Sequence, residues 1–297
     1  IITETNLPEN ENLSYFGIKK NESHWIYNFS LPPLLVHSFL FEDSTHLNKW
    51  CKNLPQTNIG NNYLNFIASH DGIGMRPVEG YLNKKNLLKF FKRIKKNGGQ
   101  LSYRKVQNSS KKVYEANITL FNAFQKTDYD KKGKYFLERY ISAHAIMIAF
   151  EGIPAIYFNS IFGTSNDEYK YIISNNKRDL NRYKWNKKRL ESLLKNKNSK
   201  QSIFYQKIMK LISIKKQNKA FHPNAKRENL NMGKKIFCFK RTSLDKKKIT
   251  YNITNLSSKH QKINLNYKYK KFKNLLDKSK INRKFELQPY ETLWLSN

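Results

Sequence analysis

Two carboxylates stand where strand-like runs end, and they are the residues of this chain best suited to chemistry. Glu4 sits within Ile1-Ile2-Thr3-Glu4-Thr5-Asn6, an apolar opening that turns polar. Asp71 follows His70 where a second apolar run, Asn65-Phe66-Ile67-Ala68-Ser69, breaks into Gly72-Ile73-Gly74. Buried parallel strands that end in this way deliver polar side chains to the rim of a barrel, and barrel chemistry sits at strand ends. Two carboxylates so delivered are the minimum equipment for acid-assisted cleavage of a glycosidic bond. For that reading to hold, Glu4 and Asp71 must converge on one sugar-sized pocket. Cys51 and Cys238 match no metal-ligand spacing, and His24, His37, His144 and His222 read as core or surface residues. Neither a metal nor an organic cofactor is expected.

The elements that would position these residues can be read along the chain. Residues 24–29 form a short strand, and Ser30 with Pro32 and Pro33 opens a helix whose apolar face is Leu34, Leu35, Val36, Phe39 and Leu40. The strand of residues 65–70 follows. Residues 81–96 make a Lys-rich amphipathic helix closed by Asn97-Gly98-Gly99. A hairpin or long loop is inserted at about residues 97–120. Phe136 to Phe150 is an apolar helix, residues 153–158 a buried strand, and 200–219 another amphipathic helix. Beyond Pro223 the pattern becomes period-2 with no helix: Ile236–Phe239, Ile249–Ile253, Ile263–Leu265 and Thr292–Leu295. The fold class is therefore α/β: residues 1–220 as the C-terminal half of a (β/α)8 TIM barrel, and residues 221–297 as a small all-β sandwich. The chain opens inside an apolar strand without Met, which points to a C-terminal piece of a longer protein.

Composition sets outer limits. With 39% hydrophobic and 14% aromatic residues, 297 residues can bury a sizeable core. The net charge of +34 suggests a polyanion partner, yet 46 of the 56 cations are Lys and ten are Arg, the residue that reads phosphate with a fork. Asn, at 36 residues, is inflated alongside Lys. Both use A/T-rich codons, so biased base composition accounts for the charge, and no specific nucleic-acid partner is expected. The apolar segment near residues 145–158 is broken by Glu151, Gly152 and Pro154, so no membrane span is expected. The sparse cysteines suit a reducing cytoplasm.

Seven segments together resemble a known family: Ile2-Thr3-Glu4-Thr5-Asn6, Tyr27-Asn28-Phe29-Ser30-Leu31-Pro32-Pro33-Leu34, Ser69-His70-Asp71-Gly72-Ile73-Gly74, Tyr114-Glu115-Ala116-Asn117, Gly152-Ile153-Pro154-Ala155-Ile156-Tyr157, Leu180-Asn181-Arg182 and Phe221-His222-Pro223-Asn224-Ala225. In this order they look like the sucrose-phosphorylase group of glycoside hydrolase family 13, the α-amylase superfamily. The resemblance implies a retaining double displacement in which a glucosyl unit passes from sucrose or a related glucoside to inorganic phosphate. Under it, Glu4 is the general acid/base and Asp71 the transition-state stabiliser. His70 and Arg182 hydrogen-bond the glucosyl hydroxyls, and Tyr114 and Glu115 lie in a loop forming the acceptor or phosphate site. Glu115 stands where many sucrose phosphorylases carry an amide, so the acceptor stays open. Arg76 is a candidate anchor for an anionic acceptor.

The family's nucleophilic Asp belongs to a strand upstream of Ile1, so no nucleophile is expected in this chain. The missing N-terminal half of the same enzyme is its implied partner, and the isolated chain is expected to be inactive. The alternatives are a glucosylglycerate or sucrose-phosphate phosphorylase fragment, or a degenerate, non-catalytic remnant that binds carbohydrate or polyanion.

Overall fold

The computed structural model describes residues 1–17, 21–106, 111–265 and 271–297. Strand β1 (Ile2–Thr3) leads through α1 (Glu9–Ser14) to β2 (Trp25–Tyr27), α2 (Leu31–Phe41), α3 (Thr45–Asn53) and β3 (Asn62–Asn65). An excursion follows, made of β4 (Ile73–Gly74), α4 (Lys84–Lys96), β5 (Gln100–Lys105), β6 (Lys111–Asn117) and α5 (Leu120–Gln125). Then come α6 (Phe136–Ala149), β7 (Ile153–Pro154), α7 (Phe158–Ile161), α8 (Glu168–Ser174), α9 (Lys187–Lys195) and α10 (Lys200–Gln217). The rest is β: β8 (Lys226–Leu230), β9 (Ile236–Thr242), β10 (Ile249–Asn255), β11 (Gln261–Asn264), β12 (Lys271–Asn274), β13 (Lys280–Asn282), β14 (Lys284–Leu287) and β15 (Thr292–Ser296).

Strands β1, β2, β3 and β7 pair side by side in that order, all parallel, with Ile2 opposite Trp25, Ile26 opposite Tyr63 and Leu64 opposite Ile153. Helix α2 is apolar on every side, and ten of its eleven residues are buried, so it lies inside the molecule, packed between α3, α5 and α6. Ser30 does not cap it. Its hydroxyl donates to the Pro77 carbonyl at 3.4 Å, and prolines at the start of the helix leave fewer donors to satisfy. In the excursion, β4, β6 and β5 form an antiparallel three-stranded sheet. Residues 97–120, expected to hold a hairpin or long loop, carry the antiparallel pair β5–β6, and residues 107–110 lie outside the described residues.

Three strands differ from the sequence reading. β1 is not buried: Ile2 is 53% exposed because β1 lies at an edge of the four-stranded sheet. β7 is short and half-buried because it forms the other edge. The strand expected at 65–70 instead occupies Asn62–Asn65. It stops there because its neighbours stop, β2 at Tyr27 and β7 at Pro154, and the Asn65 carbonyl accepts the last cross-strand bond, from the Ala155 N–H at 2.7 Å.

The six-stranded antiparallel sheet, in the order β13-β12-β15-β10-β9-β8, is apolar on both faces. Alternation sends Ile236 and Cys238 to one face, against Ile263 and Leu287 of the two-stranded β11–β14 ribbon. Phe237 and Phe239 go to the other face and join the main core. Two buried arginines bolt this sheet to the rest. Arg227 pairs with Glu151 at 2.8 Å, donates to the Leu54 carbonyl at 2.8 Å and lies over the Phe150 ring at 5.1 Å. Arg241 donates to the Ala149 and His222 carbonyls, each at 2.7 Å.

Removing one member of a buried ion pair strands the other charge, at a cost of about 3–5 kcal/mol. Glu151→Ala is therefore expected to lower the unfolding free energy by about that much, read as a fall in the urea midpoint. The Glu151→Ala/Arg227→Met double variant is expected to lose less than Glu151→Ala alone. A second expectation comes from His37 and His144, both buried, whose pKa values are pushed from 6.5 down to about 4 mainly by burial. The unfolded chain takes up protons first, so their contribution is complete above pH 6.5 and lost as pH falls toward about 4. The thermal midpoint should drop across that window, and His144→Phe should flatten the slope.

Candidate functional site

Asp71 lies beyond the carboxyl end of β3, held by cations. Its Oδ1 accepts from Arg182 Nη2 at 3.0 Å and forms an ion pair with Arg178 Nη1 at 3.1 Å, with His70 Nε2 at 3.5 Å. Arg182 also donates through Nε to the His70 carbonyl at 3.1 Å, and Asn181 Nδ2 donates to the Asp71 carbonyl at 3.2 Å. The carboxylate is thus fixed in direction, while its side chain stays 27% exposed and open to a ligand. A preoriented charge of this kind can accept a sugar hydroxyl or stabilise positive charge without reorganising.

Arg178 spans two carboxylates. Besides Asp71, its Nε donates to Glu115 Oε2 at 3.1 Å, and the other Glu115 oxygen accepts the Gly72 N–H at 3.0 Å. Burial opposes the charge on Arg178, but the hydrogen bond to Glu115 and the fields of Glu115 and Asp71 outweigh it and raise its pKa. The arginine is presented by a tight turn at 177–181, where the Asn176 side chain accepts the Arg178 N–H at 3.1 Å and Asp179 pairs with Lys170 of α8 at 3.0 Å. Gly72 is required by close approach: a Cβ there would lie 2.7 Å from the Ala116 carbonyl oxygen and the Glu115 Cγ.

The structure therefore brings together Asp71, His70, Arg182 and Glu115, four of the residues singled out from sequence. It adds Arg178, which sequence reading passed over because its short helical turn carries no apolar period. Its position four residues before Arg182, beside the Leu180-Asn181-Arg182 segment, was the available signal. Tyr114 is half-buried on β6 near Arg178, and its carbonyl accepts the Met75 N–H at 2.9 Å. Arg76 stands apart on the turn after β4, with no hydrogen bond or ion pair to the Asp71 group among the described residues, and its Nε is buried without a partner.

Glu4 is exposed immediately after β1. Its charge acts on Tyr27, whose pKa is raised first by burial and then by Glu4. The Tyr27 ring meets Phe66 edge-on at 5.5 Å, and Phe66 lines the same cleft as Asp71. The two carboxylates share the carboxyl side of the parallel sheet, linked through these aromatics rather than by contact. The cleft itself, with Ala68, Tyr157, Asn159 and Asn181 in its walls, holds about 20 Å³. That admits a water and not a hexose. The expected pocket shared by Glu4 and Asp71 is not seen among the described residues: Asp71 lines this cleft, and Glu4, just after an edge strand, does not. Among the described residues, no group of three or more His, Cys, Asp or Glu side chains is placed to hold a metal ion.

No family model matches the chain. It is 29% identical over 296 residues to glucosylglycerate phosphorylase of Escherichia coli (strain K12), covering 99% of this chain and 52% of that protein. It is 32% identical over 225 residues to glucosylglycerate phosphorylase of Allomeiothermus silvanus, covering 76% of this chain and 40% of that one. Among solved structures, sucrose 6F-phosphate phosphorylase from Thermoanaerobacter thermosaccharolyticum superposes with a TM-score of 0.70 at 21% identity, over 86% of this chain and 47% of that chain. The chain thus spans about half the length of the curated relatives it matches. With the motif order and these sequence likenesses in hand, the chain belongs to the sucrose-phosphorylase-like group of glycoside hydrolase family 13.

Proposed function

We propose that this chain is the nucleophile-free half of a retaining glucosyl phosphorylase, with glucosylglycerate as its donor and sucrose or a sucrose phosphate as the next candidates. The observation that carries the reading is the Asp71 carboxylate, fixed by Arg178 and Arg182 at the carboxyl side of a parallel sheet. The four strands β1, β2, β3 and β7 are one half of a (β/α)8 ring, residues 221–297 form its β-module, and a second four-stranded half supplies the nucleophilic carboxylate.

In this mechanism Glu4 donates its proton to the glycosidic oxygen as the bond to the anomeric carbon breaks, and glycerate leaves with that proton. The sugar carbon bonds to the carboxylate of the other half. The ionised Glu4 then takes a proton from phosphate as a phosphate oxygen displaces that carboxylate, giving glucose 1-phosphate. Asp71 stabilises the cationic character of both transition states, while His70 and Arg182 orient the glucosyl hydroxyls. Tyr114 and Glu115, on the hairpin strand β6, border the acceptor side. Arg76, whose buried Nε has no hydrogen-bond partner among the described residues, is the candidate anchor for the carboxylate of glycerate or the phosphate of a sugar phosphate.

The test joins this chain to a preceding four-stranded half that carries the nucleophilic Asp, and measures release of glucose 1-phosphate from glucosylglycerate, sucrose 6-phosphate and sucrose. Glu4→Gln and Asp71→Asn are each expected to lower kcat by about 10²–10⁴ while the thermal midpoint is kept. Arg76→Met should raise KM for the anionic donors and leave sucrose unaffected. Unchanged turnover in Asp71→Asn, or turnover by the 297 residues alone, would reject the assignment.

A further inference from the structure

Between α4 and the β5–β6 hairpin runs an open groove with about 770 Å³ of free volume, sharing no lining residue with the Asp71 cleft. Buried Met75 and Leu101 form its floor, and Leu87, Phe91 and Val113 its walls. At its mouth, Leu88 is 60% exposed and Tyr103 51%. Large apolar side chains left in water around a concave apolar floor mark a place where something binds.

The rim is basic on both banks. Lys84, Lys92 and Lys95 stand on the helix side, Lys111 and Lys112 on the strand side. None of the five joins an ion pair among the described residues, and the one acidic lining residue, Glu79, is already paired with Arg104 at 2.9 Å. We propose that this groove docks an acidic amphipathic helix of a partner protein, its apolar stripe on Leu87, Leu88, Phe91 and Tyr103 and its carboxylates on the lysine banks.

The distribution of charge selects this occupant. Lys84 and Lys95 are eleven residues apart on one helix, about 16 Å along its axis. Cations therefore follow the groove from end to end. An amphiphile with one anionic head would pair at one end only and leave the other bank unused. An anionic bilayer is flat, and it would rest on the rims without reaching Met75 and Leu101. A helix of about three turns, with acids on both flanks of an apolar stripe, meets the floor and both banks at once.

The test uses a dye-labelled synthetic peptide with leucines at helical i, i+3, i+4 and i+7 spacing flanked by glutamates, beside a scrambled peptide of the same composition. Fluorescence anisotropy at moderate salt should show binding of the patterned peptide and weaker binding of the scramble. Leu88→Asp, Tyr103→Asp and the Lys92→Glu/Lys95→Glu pair should each weaken it by about tenfold or more. Lys247→Glu/Lys278→Glu, in a separate lysine-lined cleft, should leave it unchanged. The mutated groove positions lie on the surface, and far-UV circular dichroism confirms that each variant keeps its fold. Equal binding of the scramble would show that the net charge alone attracts the peptide, and unchanged binding by Leu88→Asp and Tyr103→Asp would place it elsewhere; either outcome overturns the proposal. So would tight, Leu88-dependent binding to phosphatidylglycerol vesicles with no binding of the patterned peptide, which would make the groove a lipid site.

Discussion

The ion pair between Glu151 and Arg227 is the constraint on which the remaining geometry rests. Each side chain is almost wholly removed from water, at 2% and 4% exposure. An ion in such a place costs several kcal/mol unless its partner and hydrogen bonds are complete. Here they are: Glu151 also accepts the Thr57 N–H at 3.0 Å, and its carbonyl takes Asn65 Nδ2 at 2.6 Å. The pair therefore ties β8, the end of α3 and the approach to β7 at a single point. Gly152 follows with φ of +104°, and a Cβ there would sit 2.3 Å from the Tyr63 carbonyl oxygen. Only glycine lets β7 draw close enough to pair with β3, and the loop leaving β3 is the one that carries His70 and Asp71.

From that anchored strand the electrostatics of the cleft follow. Asp71 and Glu115 belong to different layers, one on the loop after β3 and the other on the hairpin strand β6. Arg178 makes them a unit, so the position of the hairpin and the direction of the Asp71 carboxylate are one mechanical variable. Arg182 acts differently: it grips both the Asp71 carboxylate and the His70 carbonyl, fixing the local turn. Two guanidiniums facing two carboxylates leave the group formally neutral, which explains how Glu115 can be buried at 4% exposure. The arrangement resists rotation of Asp71 while leaving that carboxylate partly open to solvent, as the role proposed for it requires.

Legibility from sequence followed the strength of the apolar period. The helix near Phe136 to Phe150 was readable because its sequence is strongly apolar, and the structure ends it one residue earlier, at Ala149. α4 and α10 were readable from helical spacing, with ends shifted by up to three residues. The β8, β12, β13 and β14 strands were not seen, because Lys226–Leu230, Lys271–Asn274, Lys280–Asn282 and Lys284–Leu287 offer only one or two apolar residues each among lysines and polar groups. The apolar opening was visible, but the exposure of Ile2 was not, because burial of an edge strand depends on what flanks it. Asp71 with His70 could be found from a strand end. The role given to Glu4 came from resemblance, and no period or spacing could have paired it with Tyr27.

Arginine and lysine divide the positive charge by task. Arg139 is fully buried against Asp130 at 2.8 Å and lies over the Tyr290 ring at 4.8 Å. Arg227 and Arg241 fork onto backbone carbonyls, and Arg178 and Arg182 fork onto the site. Each uses several donors at once, which a planar guanidinium provides and an ammonium on a flexible stem does not. The lysines lie mostly at the surface. Lys215 is a half-buried exception: it donates to the Phe221 carbonyl at 2.9 Å, and desolvation pushes its pKa down to about 7. A surplus of exposed lysine thus raises the net charge without entering the architecture, which fits drift in base composition better than selection for a polyanion across the whole surface. The α4 groove differs because its lysines flank an apolar floor. There the position of the charge, rather than its amount, carries information.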